Sequence, residues 1–113
     1  MTLMQALSQF CNECNSNARL REMNRDWNRR VLLNPDNVDS PHYLISENGE
    51  VSAGQGSVDN PDLVIEASDT ILTSVFSGRM TPTEPYNAGD LLVRGHQDDI
   101  MRLDILTLLI WGD

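Results

Sequence analysis

The sequence of 113 residues predicts a single domain that mixes α-helices with short β-strands. Three observations predict it. Apolar side chains recur at helical spacing in the first 30 residues, short β-favouring runs separated by turn residues follow up to residue 67, and further helical patterns come after them. A chain of this length buries about two-thirds of its unfolded surface, which is enough for one core without a metal or a disulfide.

The first predicted helix has an apolar face that includes Phe10 and Cys14. Cys11 and Cys14 form a CxxC pair, which is compatible with a zinc site or a redox pair and also with two thiols in an apolar core. A zinc site needs two further ligands, and the only histidines, His42 and His96, are distant in sequence. We therefore interpret both cysteines as core residues and expect no metal or cofactor.

A second, shorter helix is predicted because Leu20, Met23 and Trp27 recur at positions i, i+3 and i+7. All eight cations of the chain are arginines, and five of them lie in residues 1–30, which carry a net charge of +2 while the remainder carries −11. The total of −9 argues against an unspecialised nucleic-acid-binding protein. The arginine-rich segment is either a solvated face paired with local acids or a docking patch for an acidic partner.

Four strands are predicted in the middle of the chain, over residues 31–33, 42–46, 51–53 and 62–67. Asn48-Gly49 separates the second from the third and is typical of a type I′ hairpin turn, in which both central residues have positive φ. In the fourth strand, period-two alternation points Leu63, Ile65 and Ala67 towards the core.

A helix is predicted directly after the fourth strand. Ser68 or Asp69 can supply its N-cap, and Gly78 can end it in the left-handed conformation. Its apolar face consists of Ile71, Leu72, Val75 and Phe76.

The segment that follows predicts one helical turn and a last strand. Residues 81–84 have the sequence of a capping box with Pro82 at the first helical position, and Pro85 limits the helix to about one turn. Residues 87–89 are predicted to form a turn. The strand over residues 91–95 then directs Leu91 and Val93 inward.

The C-terminal segment is predicted to form a helix that is apolar almost all round. Nine of its fourteen residues from Asp98 to Trp111 are apolar. One packed face cannot account for this pattern, so the helix needs a second contact, which is a bound lipid, a partner chain or burial on both sides.

His96, Asp98 and Asp99 lie where this last helix begins. Their side chains could form a general acid/base pair or a metal-binding group. The start of a helix also requires an N-cap and favours acids in its first turn, and we interpret the three residues in that way.

An ordered pattern over residues 62–111, about half of the chain, resembles the sterol carrier protein type-two family of nonspecific lipid-binding domains. The residues that carry the resemblance are Asp62 to Asp69, Val75 to Gly78, the turn through Pro82, Tyr86 to Gly89 and Leu91 to Gly95. The chain departs from the family around the last strand, where many members carry lysines and this sequence has Asp90, Leu92 and Arg94.

The resemblance implies one lipid-binding domain over residues 1–113 with an α+β fold. Its five-stranded sheet would be mixed and mostly antiparallel, with helices covering one face and a hydrophobic tunnel between sheet and helices. The tunnel residues that the resemblance implies are Leu72, Val75, Phe76, Met80, Tyr86, Leu91, Val93, Ile100, Leu103, Leu106 and Ile110. Each position is also compatible with an ordinary core residue.

No catalytic constellation is visible in the sequence, so we expect a non-enzymatic protein that binds or transfers a fatty acyl chain, a sterol or an isoprenoid. One alternative is an accessory subunit that docks on an enzyme, or on a second copy of itself, through the C-terminal helix. Another is an enzyme that uses His96. The −11 body disfavours a phosphate-rich ligand such as coenzyme A and anionic membranes.

The ends of the sequence predict a cytoplasmic protein without stable membrane insertion. The first residues lack the basic and apolar regions of a signal peptide, and the last three are not Ser-Lys-Leu. The most apolar stretch, residues 105–111, is far shorter than the roughly 18 residues of a membrane span.

Overall fold

The structure is a computed structural model that describes residues 1–37 and 39–111. Gly112 and Asp113, at the end of the predicted domain, lie outside the described residues. So does the side chain of Trp111, which the sequence pattern counts among the apolar residues of the last helix.

The described residues form five helices and five strands: two helices precede four consecutive strands, and two helices, a strand and a last helix follow. Their bounds are α1 Leu3–Ser16, α2 Ala18–Asn24, β1 Arg29–Pro35, β2 His42–Glu47, β3 Glu50–Gln55, β4 Leu63–Ala67, α3 Asp69–Phe76, α4 Thr83–Ala88, β5 Leu91–Gly95 and α5 Gln97–Trp111.

The strands form one sheet in the order β3-β2-β1-β4-β5. Three neighbouring pairs are antiparallel, and β1 pairs with β4 in parallel. The predicted mixed, mostly antiparallel five-stranded sheet is therefore confirmed. The β2–β3 hairpin turns at Asn48 and Gly49, with φ of 54° and 86°, as a type I′ turn requires.

Helix α1 lies on the buried face of the sheet. Thr2 and Gln5 close a capping box at its start, so two backbone N–H groups that lack intrahelical partners are satisfied. Phe10 packs edge-on against Phe76 of α3, with ring centroids 5.3 Å apart. The side-chain amide of Asn15 pairs with both backbone groups of Val51, at 2.8 and 2.9 Å, and fixes α1 to β3.

Helix α2 is shorter than the apolar spacing predicts. It ends at Asn24, and Trp27 lies beyond it in a tight turn in which its N–H donates to the Asn24 carbonyl at 3.1 Å. Trp27 is nevertheless buried. The i, i+7 spacing therefore identified a core residue but placed it in the wrong element. Two of the five arginines of residues 1–30, Arg29 and Arg30, belong to strand β1.

The capping box predicted over residues 81–84 is wrong. Helix α4 begins one residue later than expected, with Pro82 in the N-cap position and no side-chain capping bond. Pro85 is then its third residue, where the backbone N–H has no intrahelical partner to lose, so α4 runs to Ala88. Residues 87 and 88 are thus helical, and Gly89, at φ 81°, ends the helix.

Helix α5 packs on one side only. Leu103 and Leu106 are buried, whereas Met101, Ile105, Leu108 and Leu109 are exposed, Leu108 by 61%. Of the three second contacts that the sequence allowed, burial on both sides is therefore wrong for the described residues. Within those residues, no helix combines the length and the apolarity that crossing a membrane requires.

Candidate functional site

A cavity of about 240 Å³ lies between α5 and the β4–β5 end of the sheet. The sheet supplies its floor, α3 and α4 supply two walls, and α5 supplies the roof. Its lining residues are Ile65, Val75, Phe76, Pro82, Thr83, Tyr86, Leu91, Val93, Gln97, Ile100, Met101, Leu103, Asp104 and Thr107. Most of these side chains are apolar, so the cavity suits a ligand that has little polar surface.

The register of β4 and β5 explains the floor. Ile65 lies opposite Val93, and Ala67 lies opposite Leu91, so the inward positions of both strands fall on the same face. Ile65, Leu91 and Val93 line the cavity from this face. The inward orientation of Leu91 and Val93 that alternation predicts agrees with their burial, because the intervening Leu92 is exposed.

Helix α5 is fastened on the side away from the cavity by a polar group that we call the Asp99 cluster, consisting of Trp27, Arg29, Asp99 and Arg102. The Asp99 carboxylate accepts from the Trp27 indole at 2.9 Å and from Arg29 Nε at 3.0 Å. The Arg102 guanidinium lies 5.7 Å from the Trp27 ring and donates to the Met23 carbonyl. These contacts join α5 to β1 and to the end of α2.

A second cavity, of about 270 Å³, adjoins the first along α5. The two share Val75, Pro82, Thr83, Asp104 and Thr107, and the second adds Met80, Thr81 and Leu108. The apolar space therefore continues beneath the C-terminal half of α5, towards the exposed residues Thr81 and Leu108. A closed tunnel through the domain remains a prediction.

No family model matches the chain. Stomatin-like protein 1 of Mus musculus is 28% identical over 103 residues, which are 90% of this chain and 25% of that protein. The chain thus spans about a quarter of the length of the curated relative that it matches.

Solved structures match the architecture closely. The UbiJ-SCP2 ubiquinone synthesis protein superposes with a TM-score of 0.78 at 15% identity, over 96% of this chain and 94% of that one. Palmitated SCP2L2 from Aedes aegypti superposes with a TM-score of 0.73 at 13% identity, over 95% of each chain. This chain has the sterol carrier protein 2 fold. The fold that the sequence resemblance implied is therefore confirmed.

In this sterol carrier protein 2 fold, seven of the eleven residues implied as tunnel residues line the first cavity. They are Val75, Phe76, Tyr86, Leu91, Val93, Ile100 and Leu103. The other four lie elsewhere: Met80 lines the second cavity, Leu72 and Leu106 are buried in the core, and Ile110 packs against the core.

Several lining residues were not predicted, and most of them lie on α5. Gln97, Met101, Asp104 and Thr107 follow the helical spacing of the predicted Ile100, so a helical wheel places them on the same side. The predicted tunnel residues were apolar or aromatic residues at positions that the family resemblance implies. Gln97, Asp104 and Thr107 were omitted because they are polar, and Met101 was omitted because it is not at one of those positions. Pro82 and Thr83 were omitted because their position depends on where α4 begins.

The residues considered for other chemistry line neither cavity. His96 Nδ1 accepts the Asp98 backbone N–H at 3.2 Å, which agrees with the interpretation of His96 as a cap. Both thiols are buried, and burial raises the pKa of Cys11 to about 11 and that of Cys14 to about 12. Within residues 1–37 and 39–111, no three His, Cys, Asp or Glu side chains are grouped as a metal site requires.

Proposed function

We propose that this chain binds a lipid or another hydrophobic molecule in the cavity beneath α5 and carries it without changing it chemically. The observation that carries the proposal is a largely apolar cavity of about 240 Å³ in a domain with the sterol carrier protein 2 fold. The walls are built from three different elements and the sheet, so the site is formed by the fold as a whole.

Apolar contact alone is sufficient for useful affinity. Each buried methylene contributes about 0.8 kcal/mol, so about ten methylenes contribute about 8 kcal/mol before the costs of ordering the chain and losing its free motion. A dissociation constant of about 1 μM corresponds to a similar free energy. An acyl or isoprenoid chain longer than about ten carbons therefore offsets these costs and approaches this affinity without an ion pair.

A fatty acyl chain, a sterol and an isoprenoid are the ligand classes we propose. One of the matching structures is a palmitated protein and another is a ubiquinone synthesis protein, which supports an acyl or isoprenoid tail in this fold. We infer a non-enzymatic role because the cavity walls combine apolar side chains with isolated polar groups and hold no paired nucleophile and base among the described residues.

Native mass spectrometry of the gently purified protein tests this proposal. We expect an adduct whose mass matches a hydrophobic molecule, recovered by organic extraction and bound one per chain. The proposal is contradicted if the purified protein carries no adduct and also gains none when it is incubated with fatty acids, long-chain alcohols, sterols and quinone analogues.

A second candidate function is favoured by the exposed apolar side of α5. Met101, Ile105, Leu108 and Leu109 are large apolar side chains in contact with solvent. An accessory subunit would bury them against an enzyme or a second copy of the chain. The arginines of α2, of which Arg19 and Arg21 make no ion pair among the described residues, would supply a separate contact for an acidic partner.

Replacing exposed residues of α5 separates the two functions. A variant with Ile105 and Leu109 changed to Gln leaves the buried Leu103 and Leu106 in place and alters no residue that lines either cavity. The carrier function predicts that the variant still binds ligand. The subunit function predicts that the variant loses a stable complex, measured by native mass spectrometry, while the unaltered chain forms one.

A further inference from the structure

The polar side chains of the first cavity are Thr83 and Tyr86 of α4 and Gln97, Asp104 and Thr107 of α5, and Asp104 carries the charge among them. Asp104 and Thr107 are one helical turn apart and line both cavities. The Thr107 hydroxyl donates its proton to the backbone carbonyl of Asp104 at 2.8 Å. Because this proton is already used, the Thr107 oxygen is left as a hydrogen-bond acceptor, as the Asp104 carboxylate is.

The Asp104 carboxylate makes no hydrogen bond or ion pair with the described residues. It is exposed, so it is hydrated when the cavity is empty, and it is the one charged side chain among the described residues that line this largely apolar space. A ligand whose tail enters that space brings its polar end close to this carboxylate.

No cation lines either cavity among the described residues. Arg102 is only two residues from Asp104, but its guanidinium donates to Met23 and lies over Trp27. Arg29 is paired with Asp99 in the same cluster. Arg79 is exposed and precedes Met80 of the second cavity, and it does not itself line the wall.

We infer that Asp104 selects the polar end of the ligand, so that the cavity accepts a neutral hydrogen-bond donor such as an alcohol or phenol and disfavours a carboxylate. This inference rests on the proposed function and names the ligand class for the same site. A hydroxyl head group can donate to the Asp104 carboxylate and form a charge-assisted hydrogen bond. A carboxylate head group meets a like charge with no cation in the wall to offset it.

Two ligands with the same tail test the inference. 1-Decanol and decanoate at pH 7.5 differ in head group, and isothermal titration calorimetry gives the ratio of their dissociation constants. We expect the unaltered protein to bind 1-decanol about tenfold more tightly than decanoate, because a nearby like charge typically changes affinity by about that factor.

The Asp104→Asn variant removes the charge and keeps the shape of the side chain. We expect the tenfold preference to fall to about twofold or less, chiefly through tighter decanoate binding. Asp98→Asn is the matched control, because it removes the same charge from the same helix at an exposed position outside both cavities. It should leave the preference unchanged. Both substitutions are at exposed residues, and circular dichroism verifies that the variants fold.

Equal affinity of the unaltered protein for the two ligands overturns the inference and leaves the proposed function standing. The inference is also wrong if Asp104→Asn retains the preference, or if decanoate binds more tightly and Arg79→Gln weakens it, since the head group would then be held by a cation. Failure of the unaltered protein to bind either ligand overturns the inference, and the proposed function falls with it only if the same protein also binds no longer fatty acid, sterol or quinone analogue.

Discussion

Asp99 is the residue that fixes α5 over the cavity. Its side chain is only 9% exposed, and it accepts hydrogen bonds from Trp27 and Arg29, which lie 72 and 70 residues earlier in the chain. A carboxylate in the first turn of a helix also interacts favourably with the helix dipole. Asp99 therefore stabilises α5 locally and also joins it to β1.

Replacement of Asp99 by Ala should lower the free energy of unfolding by about 1–3 kcal/mol, because a buried indole N–H and a half-buried guanidinium lose their partner. Denaturant titration monitored by circular dichroism measures the change. Asp98→Ala is the control, since it also removes a first-turn acid but from an exposed position. Equal losses from the two variants would show that the Asp99 cluster contributes nothing beyond the helix dipole.

The buried thiols of α1 predict a dependence of stability on alkaline pH. Burial raises the pKa of Cys11 to about 11 and of Cys14 to about 12, from 9.0. Well below pH 9 the thiols are protonated in both states and contribute no pH dependence. Above pH 9 the unfolded chain loses these protons first, so the free energy of unfolding falls as the pH rises towards 11.

The Cys11→Ala/Cys14→Ala variant should show a smaller fall in the free energy of unfolding over the same pH range. Urea titrations from pH 8 to 11 measure both proteins. If the two curves are parallel, the thiols are not responsible for the alkaline loss of stability, and their burial does not keep them protonated.

At the residue scale, the sequence predicted roles that depend on near neighbours in the chain. The helix-start interpretation of His96 and Asp98 agrees with their contacts, and the burial of Cys14 followed from helical spacing. The pairing of Asp99 with Trp27 could not be predicted, because it depends on how the sheet brings β1 beside the start of α5.

Among the elements, the β2–β3 hairpin depends most directly on single residues. Gly49 has φ of 86°, and a Cβ built on it would lie 3.1 Å from the backbone carbonyl oxygen of Arg21. The turn thus needs glycine for its backbone conformation and for its close approach to α2. Asn48, at φ 54°, is a residue type that tolerates this region.

The Gly49→Ala substitution should reduce the free energy of unfolding by about 1–2 kcal/mol, since alanine is strained at positive φ and crowds α2. Thermal and urea unfolding measure the loss. An unchanged stability would mean that the turn relaxes at no cost and that its approach to α2 is unimportant for the fold.

Elements whose start and end are marked by capping or turn residues were predicted well. Elements whose bounds depend on tertiary contacts were not. Helix α3 carries its own cap at Ser68 and the left-handed Gly78 after its end, and the hairpin carries Asn48-Gly49. The start of α4 was misplaced because Thr81 has the capping sequence but not the capping position. The five-stranded mixed sheet came from the family resemblance, and the order of its strands was not predicted, since local patterns do not determine which strands pair.

For the whole molecule, the cavity is a consequence of one helix packing on only part of the sheet. Helix α5 is held by Leu103, Leu106 and the Asp99 cluster. These contacts place it over the β4–β5 end of the sheet and leave the space between them unfilled. The sequence predicted apolar residues on both sides of α5. Through the resemblance it predicted that Ile100 and Leu103 face the tunnel, but it did not predict that Ile105 and Leu109 would face solvent, because both sides are similarly apolar.

A larger side chain on the floor of the cavity tests most directly whether this cavity holds the ligand. Val93→Phe places a larger side chain in the cavity, whereas Leu92→Phe adds the same residue type to the same strand on the exposed face. Isothermal titration with 1-decanol should show binding weakened about tenfold or more by Val93→Phe and changed less than about twofold by Leu92→Phe, with both variants folded. Unaltered affinity in a folded Val93→Phe variant would contradict the claim that this cavity holds the ligand.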